Sequence, residues 1–151
     1  KGENIVLDDG RAVLADDVSQ AAWSPRSVIV GGDNDQPALL HDAMCNSDAM
    51  IHEATFTEDV LARVGPQYMH STAAMVAKAA ERSELPHLLL THFSQRYRLK
   101  GGESIEHSID DLRKEARQHY SGTLIMAEDL ECYQLEKNRD ITPLSTNPKR
   151  P

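Results

Sequence analysis

The sequence predicts an α/β fold, and three of its features lead to that prediction. Short apolar runs that resemble β-strands alternate along the chain with amphipathic runs that resemble helices. The chain has 151 residues, of which 40% are hydrophobic and 26% are charged, as expected for one ordinary globular domain with its own core. No apolar run approaches the roughly 18 residues that a membrane span requires. We therefore expect one α/β domain without a membrane segment.

The individual elements are predicted from turn signals and from the spacing of apolar residues. Strands are predicted at residues 4–7, 11–14, 27–30, 48–52, 87–91, 123–127 and 131–135, and helices at residues 37–44, 58–64, 72–82 and 105–120. Ser71 is the predicted N-cap of the third helix. From Lys137 onward the chain is polar and lacks periodicity. Residues 1–136 are therefore expected to form the domain, and residues 137–151 a loose tail.

Charge and cysteine content limit the classes of function. Acidic residues outnumber basic ones by 24 to 16, whereas nucleic-acid backbones require clustered lysine and arginine. Any RNA-binding surface is therefore expected to be a local patch or to lie outside this chain. Cys45 and Cys132 are far apart and show no metal-binding spacing, so we expect two buried free thiols. Free thiols favour a reducing, cytoplasmic location.

Acidic and imidazole side chains follow several of the predicted strands. Asp33, His52, Glu53 and His92 lie at or just after strand ends, and His70 precedes a predicted helix. Ligands and catalytic groups gather beyond the carboxyl ends of strands in α/β sheets, so these residues predict a metal or acid–base site. Structural alternatives stay open for each: a turn aspartate, a core histidine, a helix start or a solvated loop acid.

Four motifs occur in a fixed order, with similar gaps, and together they resemble ribonuclease Z. They are Gly32-Asp33-Asn34, His52-Glu53-Ala54-Thr55-Phe56, His70-Ser71-Thr72 and Leu90-Thr91-His92-Phe93-Ser94-Gln95-Arg96-Tyr97. That family, a tRNA 3′-end endonuclease group of the metallo-β-lactamase superfamily, carries G-D-T, H-E-A-T, H-S-T and T-H-x-S-x-R-Y motifs in this order. The resemblance implies half of an αββα sandwich, with a mixed sheet, helices packed on one face and an apolar patch on the other.

The resemblance also implies a role for each candidate residue. Asp33 would bridge two metal ions, and His92 would be a terminal ligand of one of them. His70 would act as the general acid for the leaving oxygen, with Glu53 beside it. The residues expected to line the phosphate-binding edge are Ser94, Arg96 and Tyr97. A packed loop without substrate contact stays an open alternative for that segment.

The function implied by the resemblance is zinc-dependent phosphodiester hydrolysis, namely removal of 3′ trailers from precursor tRNA. Two zinc ions per intact site are expected, with manganese or magnesium as alternatives, in a homodimer that binds precursor tRNA. The superfamily motif H-x-H-x-D-H, which supplies most metal ligands, is not in this sequence. We therefore expect the N-terminal half of the same protein to supply it, and this chain alone to be inactive.

Asn34 stands where the family usually has threonine, which alters hydrogen bonding next to the metal ligand Asp33. Two other interpretations remain. The protein could be a phosphodiesterase of the same superfamily that acts on small or cyclic phosphodiesters, an option that the acidic composition favours. It could also be a truncated module without catalytic activity, an option that the missing ligands favour.

Overall fold

The computed structural model describes residues 2–19, 24–98 and 107–144. Its strands are β1 (Ile5–Val6), β2 (Ala12–Val13), β3 (Val28–Val30), β4 (Ala49–Glu53), β5 (His87–Thr91), β6 (Tyr97–Arg98), β7 (His107–Ser108), β8 (Thr123–Met126), β9 (Cys132–Leu135) and β10 (Ile141–Leu144). Its α-helices are α1 (Ala15–Val18), α2 (His41–Met44), α3 (Glu58–Val64), α4 (Ala73–Arg82) and α5 (Ile109–Arg117), and 3₁₀ turns cover Pro37–Leu40 and Pro66–Tyr68.

A four-stranded parallel sheet in the order β3-β4-β5-β8 forms the centre of the fold. Antiparallel pairing occurs in two separate ribbons, β1 with β2 and β9 with β10, while β6 pairs with β7 in parallel. Parallel neighbours require crossover connections, and here helices supply them, α3 and α4 between β4 and β5 and α5 between β5 and β8. All four carboxyl ends of the central strands therefore lie along one edge.

The helices pack on one face of this sheet. Alternate strand residues such as Met50, Leu88 and Leu90 point to that face and form a buried cluster with residues of α2, α3, α4 and α5. Alanine lines the buried side of α4, which lets this helix approach its neighbours closely. Because Leu88 and Leu90 are fully buried, truncating either to alanine would cost about 2–5 kcal/mol. The α/β prediction is confirmed.

The opposite face of the sheet leaves apolar side chains uncovered near its edge. Val28 and Val30 on β3 are 47% and 74% exposed, and Ile51 beside Val30 is partly buried. By strand alternation these side chains point away from the helical core. This agrees with the expectation of an apolar surface on the face without helices.

Most predicted elements are confirmed, with changes at their ends. Ser71 is not the N-cap of α4; Thr72 is, and its side chain accepts a hydrogen bond from the Met75 N–H at 3.1 Å. Ser108 begins α5 with a reciprocal capping box to Asp111. The predicted start of that helix at residue 105 falls outside the described residues.

The prediction of a loose tail is wrong for the first part of residues 137–151. Residues 141–144 form β10, which pairs with β9 in antiparallel register. The connecting turn also contacts the main sheet, since the Arg139 guanidinium lies 3.1 Å from Asp48 and its carbonyl lies 2.7 Å from Nε2 of His87. Pro143 is tolerated because β10 is an edge strand. Residues 145–151 lie outside the described part of the chain.

The cysteine prediction needs correction as well. Cys45 and Cys132 are both free, but both are exposed instead of buried. Cys45 follows the short helix α2, and Cys132 begins the ribbon strand β9, which lies outside the central sheet. In the described ranges 2–19, 24–98 and 107–144, no helix is long and apolar enough to cross a bilayer.

Candidate metal centre

A cleft of about 260 Å³ opens at the carboxyl edge of the central sheet. Its walls are formed by Val30, Gly32, Asp33, Ile51, His52, Glu53, Thr91 and His92. Four of the sequence-predicted residues therefore line one cleft, although they are spread over sixty positions of the chain. The parallel register explains this, because strands β3, β4 and β5 all end at this edge.

Asp33, His70 and His92 bring three donor atoms together at the cleft. One donor atom from each of these residues lies within 4.8 Å of the other two. The carboxylate of Asp33 is 3.8 Å from Nε2 of His92, and the rings of His70 and His92 are 5.2 Å apart. Two imidazoles and a carboxylate form a donor set that suits zinc or manganese. The expected proximity of Asp33 and His92 is confirmed, whereas their role as ligands stays a prediction.

Thr55 holds the ring of His92 in a defined orientation. Its hydroxyl lies 2.7 Å from Oε2 of Glu53 and 3.0 Å from Nδ1 of His92. The carboxylate is the stronger and nearer acceptor, so the hydroxyl hydrogen goes to Glu53 and the hydroxyl oxygen accepts from Nδ1–H. Nε2 of His92 then carries a free lone pair on the side of Asp33. A metal-binding imidazole requires this tautomer.

The backbone at His92 supports the same orientation. Its φ of 55° lies in the left-handed region, which a residue with a side chain adopts only where its surroundings impose it. The Ala54 N–H also donates to the Thr91 carbonyl at 3.0 Å, and the Ser94 N–H donates to the Thr55 carbonyl at 3.2 Å. The turn after β5 is therefore tied to the loop after β4 at both backbone and ring.

Glu53 is an almost completely buried carboxylate that accepts three hydrogen bonds. It accepts hydrogen bonds from the N–H and the hydroxyl of Thr55 and from the N–H of Ser71. Its Oε1 faces Nδ1 of His70 at 3.7 Å, too far for a hydrogen bond. That nitrogen is buried and has no hydrogen-bond partner among the described residues. Such an orphaned group calls for an explanation, and the nearest charged group to it is the buried Glu53 carboxylate.

A ring of hydrogen bonds connects the loops behind the cleft. The Asn34 amide is 3.2 Å from Nε2 of His52, and Nδ1 of His52 is 2.7 Å from the Glu53 carbonyl. Because that carbonyl can only accept, Nδ1 carries the proton and Nε2 accepts from Asn34. Ser71 closes the ring by donating to the Asn34 carbonyl at 2.5 Å. A Cβ at Gly31 would come within 2.4 Å of the His52 ring, so His52 is a packed structural histidine.

The three residues expected to contact phosphate are placed differently from one another. Tyr97 is buried, and its hydroxyl accepts the Thr57 N–H at 2.7 Å. Burial raises the pKa of Tyr97, so this hydroxyl stays neutral at physiological pH. Arg96 is exposed, with its guanidinium 3.3 Å from the Ser94 hydroxyl. Arg96 and Ser94 are accessible to a substrate. Tyr97 instead packs inside the loop, as in the alternative in which this segment makes no substrate contact.

Sequence reasoning missed the part that Thr55 plays in the site. Thr55 lies within the second motif, but its link to His92, 37 positions away, depends on the fold. The family resemblance implied acid catalysis for His70, while the structure places that ring among the three metal-donor residues. The sequence signal for the role of Thr55 is its position two residues after Glu53, which is predicted to end a strand.

Comparison with known proteins agrees with the motifs. No protein-family model matches the chain. Ribonuclease Z of Marinobacter nauticus is 46% identical over 147 residues, which is 97% of this chain and 45% of that protein. Ribonuclease Z of Pseudomonas putida GB-1 is 44% identical over 139 residues, 92% of this chain and 43% of the relative. Ribonuclease Z of Bacillus velezensis is 32% identical over 131 residues, 87% of this chain and 40% of its own length.

A solved structure supports the fold separately. The metallo-β-lactamase fold protein YhfI from Bacillus subtilis superposes with a TM-score of 0.52 at 24% identity, over 67% of this chain and 36% of that one. The chain spans about half the length of the curated relatives it matches, and the matched half is their C-terminal part. The chain therefore belongs to the ribonuclease Z family and corresponds to the C-terminal part of its members.

Proposed function

We propose that the whole protein containing this chain is a metal-dependent endoribonuclease that removes 3′ trailers from precursor tRNA. The observation that carries the proposal is the convergence of donor atoms from Asp33, His70 and His92 within 4.8 Å of one another, in a chain 46% identical to a ribonuclease Z. The relatives are about twice as long, so the remaining ligands are proposed to come from the part that this chain does not span.

Asp33 and His92 are the residues of this chain that would hold the metal. Zinc is the proposed ion, with manganese or magnesium as alternatives. Bound metal would supply Lewis-acid stabilisation of the negative charge that develops on the phosphoryl oxygens. The lone pair on Nε2 of His92 and the exposed carboxylate of Asp33 suit this task, because the two groups lie side by side at 3.8 Å, too far apart to be engaged in a hydrogen bond with each other.

His70 is the proposed general acid for the leaving ribose oxygen. The Glu53 carboxylate, held in place by Thr55 and Ser71, faces Nδ1 of His70. A fixed anion at that distance orients a ring that carries a proton during part of the reaction. The side chain of His70 is 19% exposed, and its ring lies 5.2 Å from that of His92, so it is partly accessible beside the proposed ligand.

Precursor tRNA is the proposed substrate, and its main binding surface is proposed to lie outside this chain because the net charge here is −8. Arg96 is the proposed local phosphate contact, since an exposed guanidinium can grip a phosphate with two N–H groups. A cytoplasmic location and a homodimeric state complete the proposal. The location follows from the substrate, and the homodimer follows from the family resemblance.

The test uses the purified whole protein and a labelled precursor tRNA with a 3′ trailer. We expect a cut after the discriminator base, its loss on metal chelation and its recovery on adding zinc or manganese. Cleavage that survives complete metal removal would contradict the proposal.

Two further outcomes decide between the alternatives. Hydrolysis of a cyclic dinucleotide or of bis(p-nitrophenyl) phosphate, without cleavage of precursor tRNA, would support a small-molecule phosphodiesterase. Metal binding below one equivalent with no hydrolysis of any substrate would support a non-catalytic module.

A further inference from the structure

Glu115, on the buried side of α5, connects two helices that both begin at the candidate site. Its Oε2 accepts the N–H of Glu58 at 2.9 Å, and its Oε1 accepts the N–H of Ala74 at 3.0 Å. Glu58 is the first residue of α3, and Ala74 is the second residue of α4. These N–H groups lie in the first turns, where no acceptor exists within the helix itself. One carboxylate therefore caps two helices.

Neither helix can obtain this cap from its own N-cap residue. Thr57 precedes α3, but its side chain makes no cap hydrogen bond and contacts Asp59 and Tyr97 instead. Thr72 precedes α4 and accepts only from Met75 N–H, which leaves the preceding N–H to Glu115. The contact from α5 thus replaces a missing local interaction in each helix.

The loops that precede α3 and α4 are the two loops that carry the site. The first follows Glu53 and includes Thr55; the second contains His70 and Ser71. They are paired midway, where Phe56 N–H donates to the Ser71 carbonyl at 3.3 Å and Ala73 N–H donates to the Phe56 carbonyl at 2.9 Å. Glu53 joins the loops on the cleft side and Glu115 joins them on the side away from it.

Glu115 is half-buried, and its two N–H hydrogen bonds offset part of the cost of burying a charged carboxylate. Burial raises the pKa of Glu115, the two N–H hydrogen bonds lower it, and the carboxylates of Glu58 and Asp59 raise it further, with an upward net shift. A glutamine would avoid the cost of burying charge, but it has one acceptor oxygen. It would place an N–H₂ group against one of the two helix ends.

We propose that Glu115 is a positioning residue that holds the loops before α3 and α4 at the separation the site requires. It does not touch the cleft and acts through the two helix ends that it joins. The catalytic part of this inference rests on the proposed function, and the structural part does not. A shift of about 1 Å in groups that act together can lower a rate by roughly a hundredfold.

The experiment compares Glu115→Ala and Glu115→Gln with Glu81→Ala in the whole protein. Glu81 is a matched control, because it also accepts a backbone N–H, that of Ser121 at 2.8 Å, but in the last turn of α4. We expect Glu115→Ala to lower kcat roughly ten- to a hundredfold with KM and metal content unchanged. Glu115→Gln is expected to lose less, since it retains one of the two hydrogen bonds. Glu81→Ala should leave kcat unchanged.

Hydrogen exchange provides a readout that does not depend on catalysis. We expect peptides covering residues 54–58 and 70–75 to exchange faster in both Glu115 variants, and at the normal rate in Glu81→Ala. If the wild-type protein proves inactive on tRNA, the proposed function fails while the exchange result still tests the positioning role. Unchanged exchange and unchanged kcat in Glu115→Gln would overturn the inference, even if Glu115→Ala does not fold.

Discussion

The two edges of the parallel sheet both carry buried acids and histidines, but they engage these groups differently. At the amino-terminal edge, Asp48 accepts the Ser27 N–H at 2.8 Å and pairs with the Arg139 guanidinium at 3.1 Å. At the carboxyl-terminal edge, Asp33 has a 64% exposed side chain and meets His92 only at 3.8 Å. The polar groups of the amino-terminal edge are used in contacts that stabilise the fold. Those of the carboxyl-terminal edge remain available to bind a ligand.

The two edges differ in whether several metal-donor atoms converge, and not in whether a single buried atom lacks a hydrogen-bond partner. His87 at the amino-terminal edge has a buried Nδ1 without a partner among the described residues, as His70 does at the other edge. Yet the part of the chain that the structure describes contains one cluster suited to a metal ion, and it is formed by Asp33, His70 and His92. An orphaned nitrogen indicates a site only where other ligand atoms point to the same place.

The largest effect is expected when the carboxyl-terminal edge is tested without the rest of the protein. The 151-residue chain alone should not cleave precursor tRNA and should bind zinc weakly or not at all. A catalytic zinc normally takes three protein ligands and a water, and the proposed site takes two ions. Zinc titration and a cleavage assay on the purified chain provide the measurement. Chelator-sensitive cleavage by this chain would place the complete site within it, contrary to our expectation.

Removing a proposed metal ligand should abolish the function of the carboxyl-terminal edge in the whole protein. Asp33→Ala or His92→Ala is expected to abolish metal occupancy and cleavage together, because each removes one of the three donor atoms that converge there. Metal analysis beside kinetics checks this. Asp48→Asn at the opposite edge is the matched control and should retain both. A fully metal-loaded, active Asp33→Ala protein would remove Asp33 from the site.

His70 has two candidate roles that a single variant separates. As a general acid, His70→Ala should keep its metal and lose rate by roughly 10²–10⁴-fold. If His70 is a ligand, as its place in the donor cluster allows, metal content should fall with the rate. Metal content and single-turnover rates measured on the same preparation give the answer. Normal turnover in His70→Ala would exclude both roles.

The amino-terminal edge should respond in stability and not in catalysis. Asp48→Asn breaks the pair with Arg139 and weakens the bond to the Ser27 N–H in a buried position. We expect a loss of about 1–3 kcal/mol in the free energy of unfolding, with kcat unchanged. Urea denaturation of the whole protein measures this loss. A drop in kcat without a drop in stability would show that the two edges are coupled.

The smallest effects concern the segment after His92. Tyr97→Phe removes the acceptor of a buried N–H, so a loss of about 1 kcal/mol is expected with KM unchanged. Arg96→Ala should raise KM for precursor tRNA without a loss of stability, because its guanidinium is exposed. Thermal unfolding and steady-state kinetics distinguish the two variants. A raised KM in Tyr97→Phe would indicate that the Tyr97 hydroxyl contributes to substrate binding.

Strand and helix positions could largely be predicted because their signals are local. The spacing of apolar residues is sufficient to place α3 at residues 58–64 and β5 at residues 87–91. The ribbon strand β10 could not be predicted, since it contains a proline and owes its order to pairing with β9. The N-cap of α4 was displaced by one residue because Ser71 bonds to Asn34 and Glu53 instead.

The sequence by itself determined the α/β alternation, the family motifs and the chemical types of the candidate ligands. These depend on residue identity, order and short-range spacing. Only the tertiary structure decided that Thr55 sets the tautomer of His92, that His70 joins the donor cluster and that Glu115 spans two helix ends. Each of these contacts joins residues about 20 to 60 positions apart, and their geometry is set by strand register and helix packing. Spacing along a chain does not encode such distances, because the fold determines which distant residues meet.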